Sequence, residues 1–374
     1  MKRGRLRFFG RIDRYVLSLF AASYATALLL VVGLYLIMDM ASNLDDYLQK
    51  FPDGTRPSAL TIARFYSLHL PFLFLQVAPF VTLVAGLFTV SKLVRHAEVV
   101  AVLGAGVSAQ RLLAPIVCTA ALIGACMFGL REFTAYELAE RRDALRFLLD
   151  KKDAHPVHTN LFLRDGRGNV VKLTHYVPRP AGGGPPEVRD LEEHLVQGST
   201  TTTTTAARAV WDESASPPRW RLEGAVRNVA VVGGEQRTES VDTLAGFEFT
   251  PRLAQSFQRA REKPDELSFT EARELGSRDP DNVAYRTLLQ YHVTFPLGNL
   301  VLVLVGLPLL LRHDRGGGAR TLASAFALCV GYFATDFVCR NLGLQGTLDA
   351  PIAAWLPVLV FGSLGIVLYD GMRS

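Results

Sequence analysis

The 374-residue sequence predicts a polytopic α-helical membrane protein, with six transmembrane helices and an all-β domain inserted between the third and the fourth. Three observations carry that prediction. The chain is 49% apolar and only 20% charged, against roughly a quarter charged in ordinary soluble domains. Long stretches without Asp, Glu, Lys or Arg recur towards both ends, and the polar middle between them has apolar residues that alternate. The mean hydropathy of +0.20 is too high for two or three soluble domains and too low for continuous membrane helices, so the chain divides between lipid and water.

An unpaired charge at mid-bilayer costs about 2.5 to 3.5 kcal/mol, so charge-free windows mark the spans. Five are long: Tyr15 to Met38, Phe65 to Ser91, Leu112 to Leu130, Thr287 to Leu311 and Ala350 to Tyr369. A sixth, Thr321 to Thr335, reaches spanning length when it runs on past Asp336 through Phe337, Val338 and Cys339. The apolar run of the first window is longer than the core of a secretory signal, so it reads as a retained helix.

Basic residues flanking the windows set the direction. With the amino terminus inside, the inner pieces hold Lys2, Arg3, Arg5, Arg7, Arg11, Arg14, Lys92, Arg95, Arg111, Arg312, Arg315, Arg320 and Arg373; the short outer loops hold Lys50, Arg56, Arg64 and Arg340. Thirteen against four places both termini in the cytoplasm and residues 131–283 outside it. The transmembrane regions are then 1–130 and 284–374. Cys118, Cys126, Cys329 and Cys339 all belong to apolar windows or their ends, so the outside domain has no disulfide and depends on its own core. No basic run with interleaved aromatics marks a nucleic-acid face.

The start of the outside segment, Phe133 to Asp153, keeps helical spacing and reads as a continuation of the third helix. The period then becomes two. Asn160 to Arg164, a turn at Asp165 to Gly168, and Asn169 to Tyr176 form a hairpin pattern. Thr200 to Thr205, Ala206 to Trp211, Arg219 to Glu223 and Val226 to Val232 read as further strands, the threonines because β-branching favours extended chain. Short strands without intervening helices argue for an antiparallel sandwich or roll.

Between the second and third spans, Ser91 to Ser108 is apolar enough for the interface. It reads as a short helix near 93–106, ending at Gly104 or Gly106, with Val94, Ala97, Ala101 and Leu103 to Ala105 on one face and Arg95 and Glu98 facing away. It suits either a simple connector or a docking helix whose Glu98 pairs with a basic residue of a soluble partner.

The string Glu98 to Ser108 resembles the loop motif of the LptF/LptG family of lipopolysaccharide-export permeases, where a Glu opens a coupling helix and a small-x-Gly-x-Ser/Thr element ends it. Ile12 to Leu17, Leu70-Pro71 with Val77-Ala78-Pro79, Ala206 to Ala209, Trp220 to Leu222, Glu266 to Ser268, Phe295 to Leu297, and Pro351 with Ala354 to Pro357 resemble the rest of the family pattern in order and spacing. The resemblance implies a paired subunit of an inner-membrane transporter with its β-jellyroll in the periplasm. It further implies a cytoplasmic ABC ATPase dimer, a second LptF/LptG-type subunit (paralogue or self), periplasmic β-jellyroll bridge proteins and lipopolysaccharide as partners. Glu98, with Arg95, Gly104 and Gly106, would then bear on the ATPase.

Two departures concern the lipid cavity. Where many members carry Lys or Arg near the outer end of helix one, this chain reads Ile37 to Asp46; the family's basic residue in helix four corresponds to His292, with Arg286 nearly two turns earlier. His292, Arg286 and Asp336 are the cavity or gate candidates, although Asp336 is also spaced i, i+4 from Arg340. No Gly-x4-Gly-Lys-Ser/Thr phosphate loop occurs, so no cofactor is expected on this chain and ATP belongs to the partner. Two other classes remain open. One is a membrane enzyme using the turn Gly106-Val107-Ser108-Ala109, and the other an anchor that presents the β domain.

Overall fold

The computed structural model describes residues 10–43, 57–134, 138–149, 158–178, 184–234, 236–312 and 318–372. Of the basic residues that set the orientation, Lys2, Arg3, Arg5, Arg7, Lys50, Arg56, Arg315 and Arg373 lie outside these. The elements run α1 (Arg11–Ser42), α2 (Ala59–Arg95), α3 (Glu98–Gly104), α4 (Ala109–Phe133) and α5 (Ala139–Leu149). Strands β1 (His158–Arg164), β2 (Val170–Val177), β3 (Glu187–Gln197), β4 (Thr200–Asp212), β5 (Arg219–Val231) and β6 (Arg237–Val241) follow. Helices α6 (Pro251–Glu262), α7 (Phe269–Arg278), α8 (Val283–Arg312), α9 (Gly318–Leu344) and α10 (Ala350–Asp370) complete the chain.

Among the described residues five helices are long and apolar enough to cross a membrane: Arg11–Ser42, Ala59–Arg95, Ala109–Phe133, Val283–Leu311 and Ala350–Asp370. The sixth expected span is helical as α9 over 27 residues and is not among these five. The chain divides into two compact units, Met1–Ser42 with Leu70–Arg131 and Thr287–Ser374, and Asn43–His69 with Glu132–Arg286.

The first unit is built around α8, and small residues decide how closely its neighbours approach. A methyl at Gly124 of α4 would meet the Pro296 carbonyl oxygen at 2.6 Å, and one at Gly298 would meet the Tyr332 hydroxyl of α9 at 2.9 Å. Gly306 leaves no room beside Leu83 of α2, and a methyl at Gly365 of α10 would touch Leu304 at 3.0 Å. Lipid tails are as apolar as leucine, so close backbone packing, more than apolar burial, holds such helices together. A buried polar link reinforces it: the Thr82 hydroxyl donates to Asn299 Oδ1 at 2.9 Å, and Asn299 Nδ2 reaches Met127 Sδ at 2.7 Å.

The second unit holds one six-stranded antiparallel sheet in which every strand pairs with its sequence neighbours, in the order β1 to β6. This is a meander; a jelly roll requires strands that cross over, and none does so among the described residues. The reason is local. Connections such as Gly198-Ser199, with Gly198 at φ 59°, are too short to carry a strand past its neighbour.

The predicted hairpin is β1–β2, with Asp165 accepting the Arg167 and Asn169 N–H groups at 2.9 Å each. The threonine run is extended and continuous with Ala206 to Trp211 as β4, and β5 runs through Gly224 at φ 64° to join two predicted strands. The segment Phe133 to Asp153, expected to continue the third helix, is helical at the end of α4 and again over α5, while residues 135–137 and 150–153 lie outside the described residues.

Helix α6 and the segment before it cover the sheet: Trp220 Nε1 donates to the Phe249 carbonyl at 2.8 Å and the Tyr176 hydroxyl to the Pro251 carbonyl at 3.1 Å. Leu253, Ala254 and Phe257 of α6 are buried there. Helix α7 opens on a capping box of Ser268 and Glu271. Glu271 also takes Arg259 at 2.5 Å and the Ser256 hydroxyl at 2.9 Å, which clamps α7 to α6.

Candidate functional site

The short helix α3 stands between α2 and α4. Helix α2 ends at Arg95, and Ala97 adopts a left-handed conformation, φ 57° and ψ 15°, that turns the chain before Glu98. At the other end Val107 N–H bonds the Val102 carbonyl at 3.2 Å and Gly106 N–H the Leu103 carbonyl at 2.9 Å, with Gly106 at φ 80°. These two bonds form a Schellman cap, which needs a residue free to take positive φ. Of the two predicted terminators, Gly104 is thus the last helical residue and Gly106 the cap. Ser108 Oγ accepts the Arg111 N–H at 3.3 Å, which makes it the N-cap of α4 and gives the serine of the Gly106-Val107-Ser108-Ala109 turn a structural role.

The turn at Ala97 resets the helical phase. Val99 is buried at 7% exposure among Val16, Phe20, Leu93, Leu112 and Leu113, with Val102 packed against the same cluster, whereas Val94 and Leu103 are exposed. The predicted apolar face assumed one continuous helix across residues 93–106 and is corrected by the break. What faces out instead is Val100, 62% exposed, beside Leu103 one turn on.

Glu98 is half-buried, and its Oε1 accepts the Tyr15 hydroxyl of α1 at 2.9 Å. Arg95 is exposed and forms no ion pair with Glu98 among the described residues. Two residues before Tyr15, Asp13 is 5% exposed; it accepts both terminal nitrogens of Arg111, at 2.6 and 2.7 Å, and the Gly10 N–H at 2.9 Å. Gln110 and Tyr369 exchange side-chain to backbone bonds at 3.1 and 2.9 Å, tying α4 to α10 at the same end. Sequence reading missed Asp13, Tyr15, Gln110, Arg111 and Tyr369, because their partners are 83 to 259 positions away and no local spacing marks them.

The cavity candidates differ in burial. His292 is 1% exposed, and its Nδ1 donates to the Leu288 carbonyl of its own helix. Asp336, 8% exposed, accepts the Tyr291 hydroxyl at 3.3 Å, and the Arg340 guanidinium stands 4.9 Å over the Tyr291 ring. Arg131 of α4 lies over the same ring at 5.9 Å, so one tyrosine gathers three charged side chains. Arg286 is exposed and belongs to the second unit. Among the described residues no group of three or more His, Cys, Asp or Glu could hold a metal ion.

No curated protein matches the chain. The family model for the lipopolysaccharide export system permease LptF/LptG matches residues 14–370, nearly the whole length and inclusive of α3. With its apolar spans, its β domain and this match, the chain is an integral inner-membrane protein that belongs to the LptF/LptG family of lipopolysaccharide export permeases.

Proposed function

We propose that the chain is the membrane half of a lipid-extracting ABC transporter, paired with a second LptF/LptG-type subunit and driven by a separate cytoplasmic ATPase dimer. In this reading α9 is the sixth span, both termini and α3 are cytoplasmic, and the sheet is periplasmic, where it receives lipopolysaccharide and passes it to a β-jellyroll bridge. One observation carries it: a capped seven-residue helix that buries Val99 and presents Val100, Leu103 and a carboxylate without an ion-pair partner among the described residues. An apolar patch beside one uncompensated charge suits a groove with a basic residue in it.

Movement of the docked helix would reach the spans through Val99 and its cluster, and would expel lipid only if affinity differs between the open and closed cavity. The test is Glu98→Ala and Glu98→Lys in the full assembly. Both variants insert, but lose ATPase association and lipid export; unimpaired export in either overturns the reading.

A further inference from the structure

Two acidic side chains stand at the foot of α1 and α3, and they are treated differently. Asp13 is neutralised by a two-pronged guanidinium and capped by a backbone N–H. Glu98 has one partner among the described residues, the phenolic hydroxyl of Tyr15. A phenol donates a hydrogen bond but brings no charge, so it fixes one carboxylate oxygen and leaves the negative charge intact. An arginine in its place would orient the group equally well and cancel what a partner has to recognise. Arg95, three positions back, would be within reach on a continuous helix, and the left-handed turn at Ala97 separates the two.

Tyr15 also sits where a contact has mechanical meaning. Helix α1 is the least enclosed of the five apolar spans: 22% of its most apolar stretch is buried, against 61% for α2 and α8. At its foot it is held from two sides, by Arg111 on Asp13 and by Glu98 on Tyr15.

We propose that Tyr15 is the positioning residue for Glu98, holding its carboxylate oriented and uncompensated for a cationic group of the ATPase and making α1 follow α3 when the ATPase moves it. This rests on the reading of Glu98 as the coupling residue, and the experiment separates the two. Purified ATPase is titrated onto nanodiscs that carry the full membrane assembly, with wild-type chain, Tyr15→Phe, Glu98→Ala, Glu98→Gln and the Tyr15→Phe/Glu98→Ala pair.

Tyr15→Phe removes one oxygen from a side chain that is 48% exposed and is expected to weaken ATPase binding about five- to tenfold. Glu98→Ala is expected to weaken it by at least about thirtyfold. Glu98→Gln, which still accepts the tyrosine bond but carries no charge, falls with Glu98→Ala. In the Glu98→Ala background Tyr15→Phe has no further effect. A general loosening of the foot would weaken both backgrounds alike, so the cycle reads the contact itself whatever the variant does to stability. Wild-type affinity in Tyr15→Phe, or an equal loss in both backgrounds, overturns the role of Tyr15 and leaves the coupling reading standing. Wild-type affinity in Glu98→Ala overturns both.

Discussion

Arg111 holds Asp13 with both terminal guanidinium nitrogens, at 2.6 and 2.7 Å, and joins the first turn of α1 to the first turn of α4. The Asp13 side chain is 7% exposed and the Arg111 side chain 26%, so the two partners are not equivalent. Arg111→Ala takes both guanidinium donors from a buried carboxylate and is expected to cost about 3 kcal/mol, more than Asp13→Ala, which leaves a cation that reaches solvent. Replacing both by leucine should cost less than Arg111→Ala alone. Thermal unfolding of the intact chain in detergent checks the order; equal losses for the two single variants would contradict it.

Glu193, in the middle of β3, is fully buried and accepts the N–H groups of Ala245, Gly246 and Phe247 at 2.8, 3.1 and 2.9 Å. Alanine there takes the acceptor from three backbone donors, of which the Phe247 N–H is buried and costs about 1 to 3 kcal/mol when left unsatisfied, and leaves a void at a fully buried position. Glu193→Ala is expected to unfold the sheet at ordinary temperature, read as lost β signal in circular dichroism. Glu193→Gln keeps one acceptor and retains part of it.

His158 of β1 is largely buried, and desolvation pushes its imidazole down to about 4, against the opposing pull of Glu262 and Asp143 and with the help of Lys263. Gln258 Nε2 donates to its Nδ1, which suits a neutral ring. Above pH 6.5 the ring is neutral whether folded or unfolded. Between 6.5 and 4 the unfolded chain takes up a proton that the folded chain refuses, so stability falls as pH drops through that interval. His158→Phe should flatten this part of the melting-temperature profile; an unchanged slope would count against the assignment.

Gly124→Ala sets a methyl 2.6 Å from the Pro296 carbonyl oxygen, a backbone atom that cannot turn aside. The expected cost is about 1 to 3 kcal/mol, visible as a lower aggregation temperature in detergent. Gly129→Ala on the same helix and Gly33→Ala on α1, where nothing lies within 4 Å, should be neutral and serve as controls.

With the four native cysteines replaced by alanine, Val232→Cys, at a position 83% exposed in the second unit, is expected to react with a membrane-impermeant maleimide in intact spheroplasts. Val100→Cys should react only after lysis. The reverse pattern would invert the proposed topology.

Charge-free windows found the apolar spans because a membrane filters composition directly. The hairpin and the threonine strand were legible because alternation survives in them. Strand β3 was not: it reads Glu-Val-Arg-Asp-Leu-Glu-Glu-His-Leu-Val-Gln, with acids at buried positions and Asp190 at φ 56° breaking its phase. Those acids are tolerated because Arg189 and Arg208 flank Glu187, each at 2.7 Å, and three backbone donors meet Glu193. Arg189 is two positions from Glu187, but Arg208 lies 21 positions on and the donors to Glu193 52 to 54, and partners that far apart leave no local trace. The same holds for Glu98: its residue type and resemblance singled it out, while the tyrosine that holds it lies 83 positions earlier.

Prolines interrupt α2 at Pro71 and Pro79, α4 at Pro115, α8 at Pro296 and Pro308, and α10 at Pro357, whereas α1 contains none. A proline frees a carbonyl that lipid cannot satisfy, so neighbouring helices have to shelter it. The helix with the fewest neighbours has kept its ladder of bonds unbroken over 32 residues, roughly 48 Å. It has no built-in joint at which a push could be dissipated, so a displacement imposed at Tyr15 travels the length of a stiff rod to Ser42.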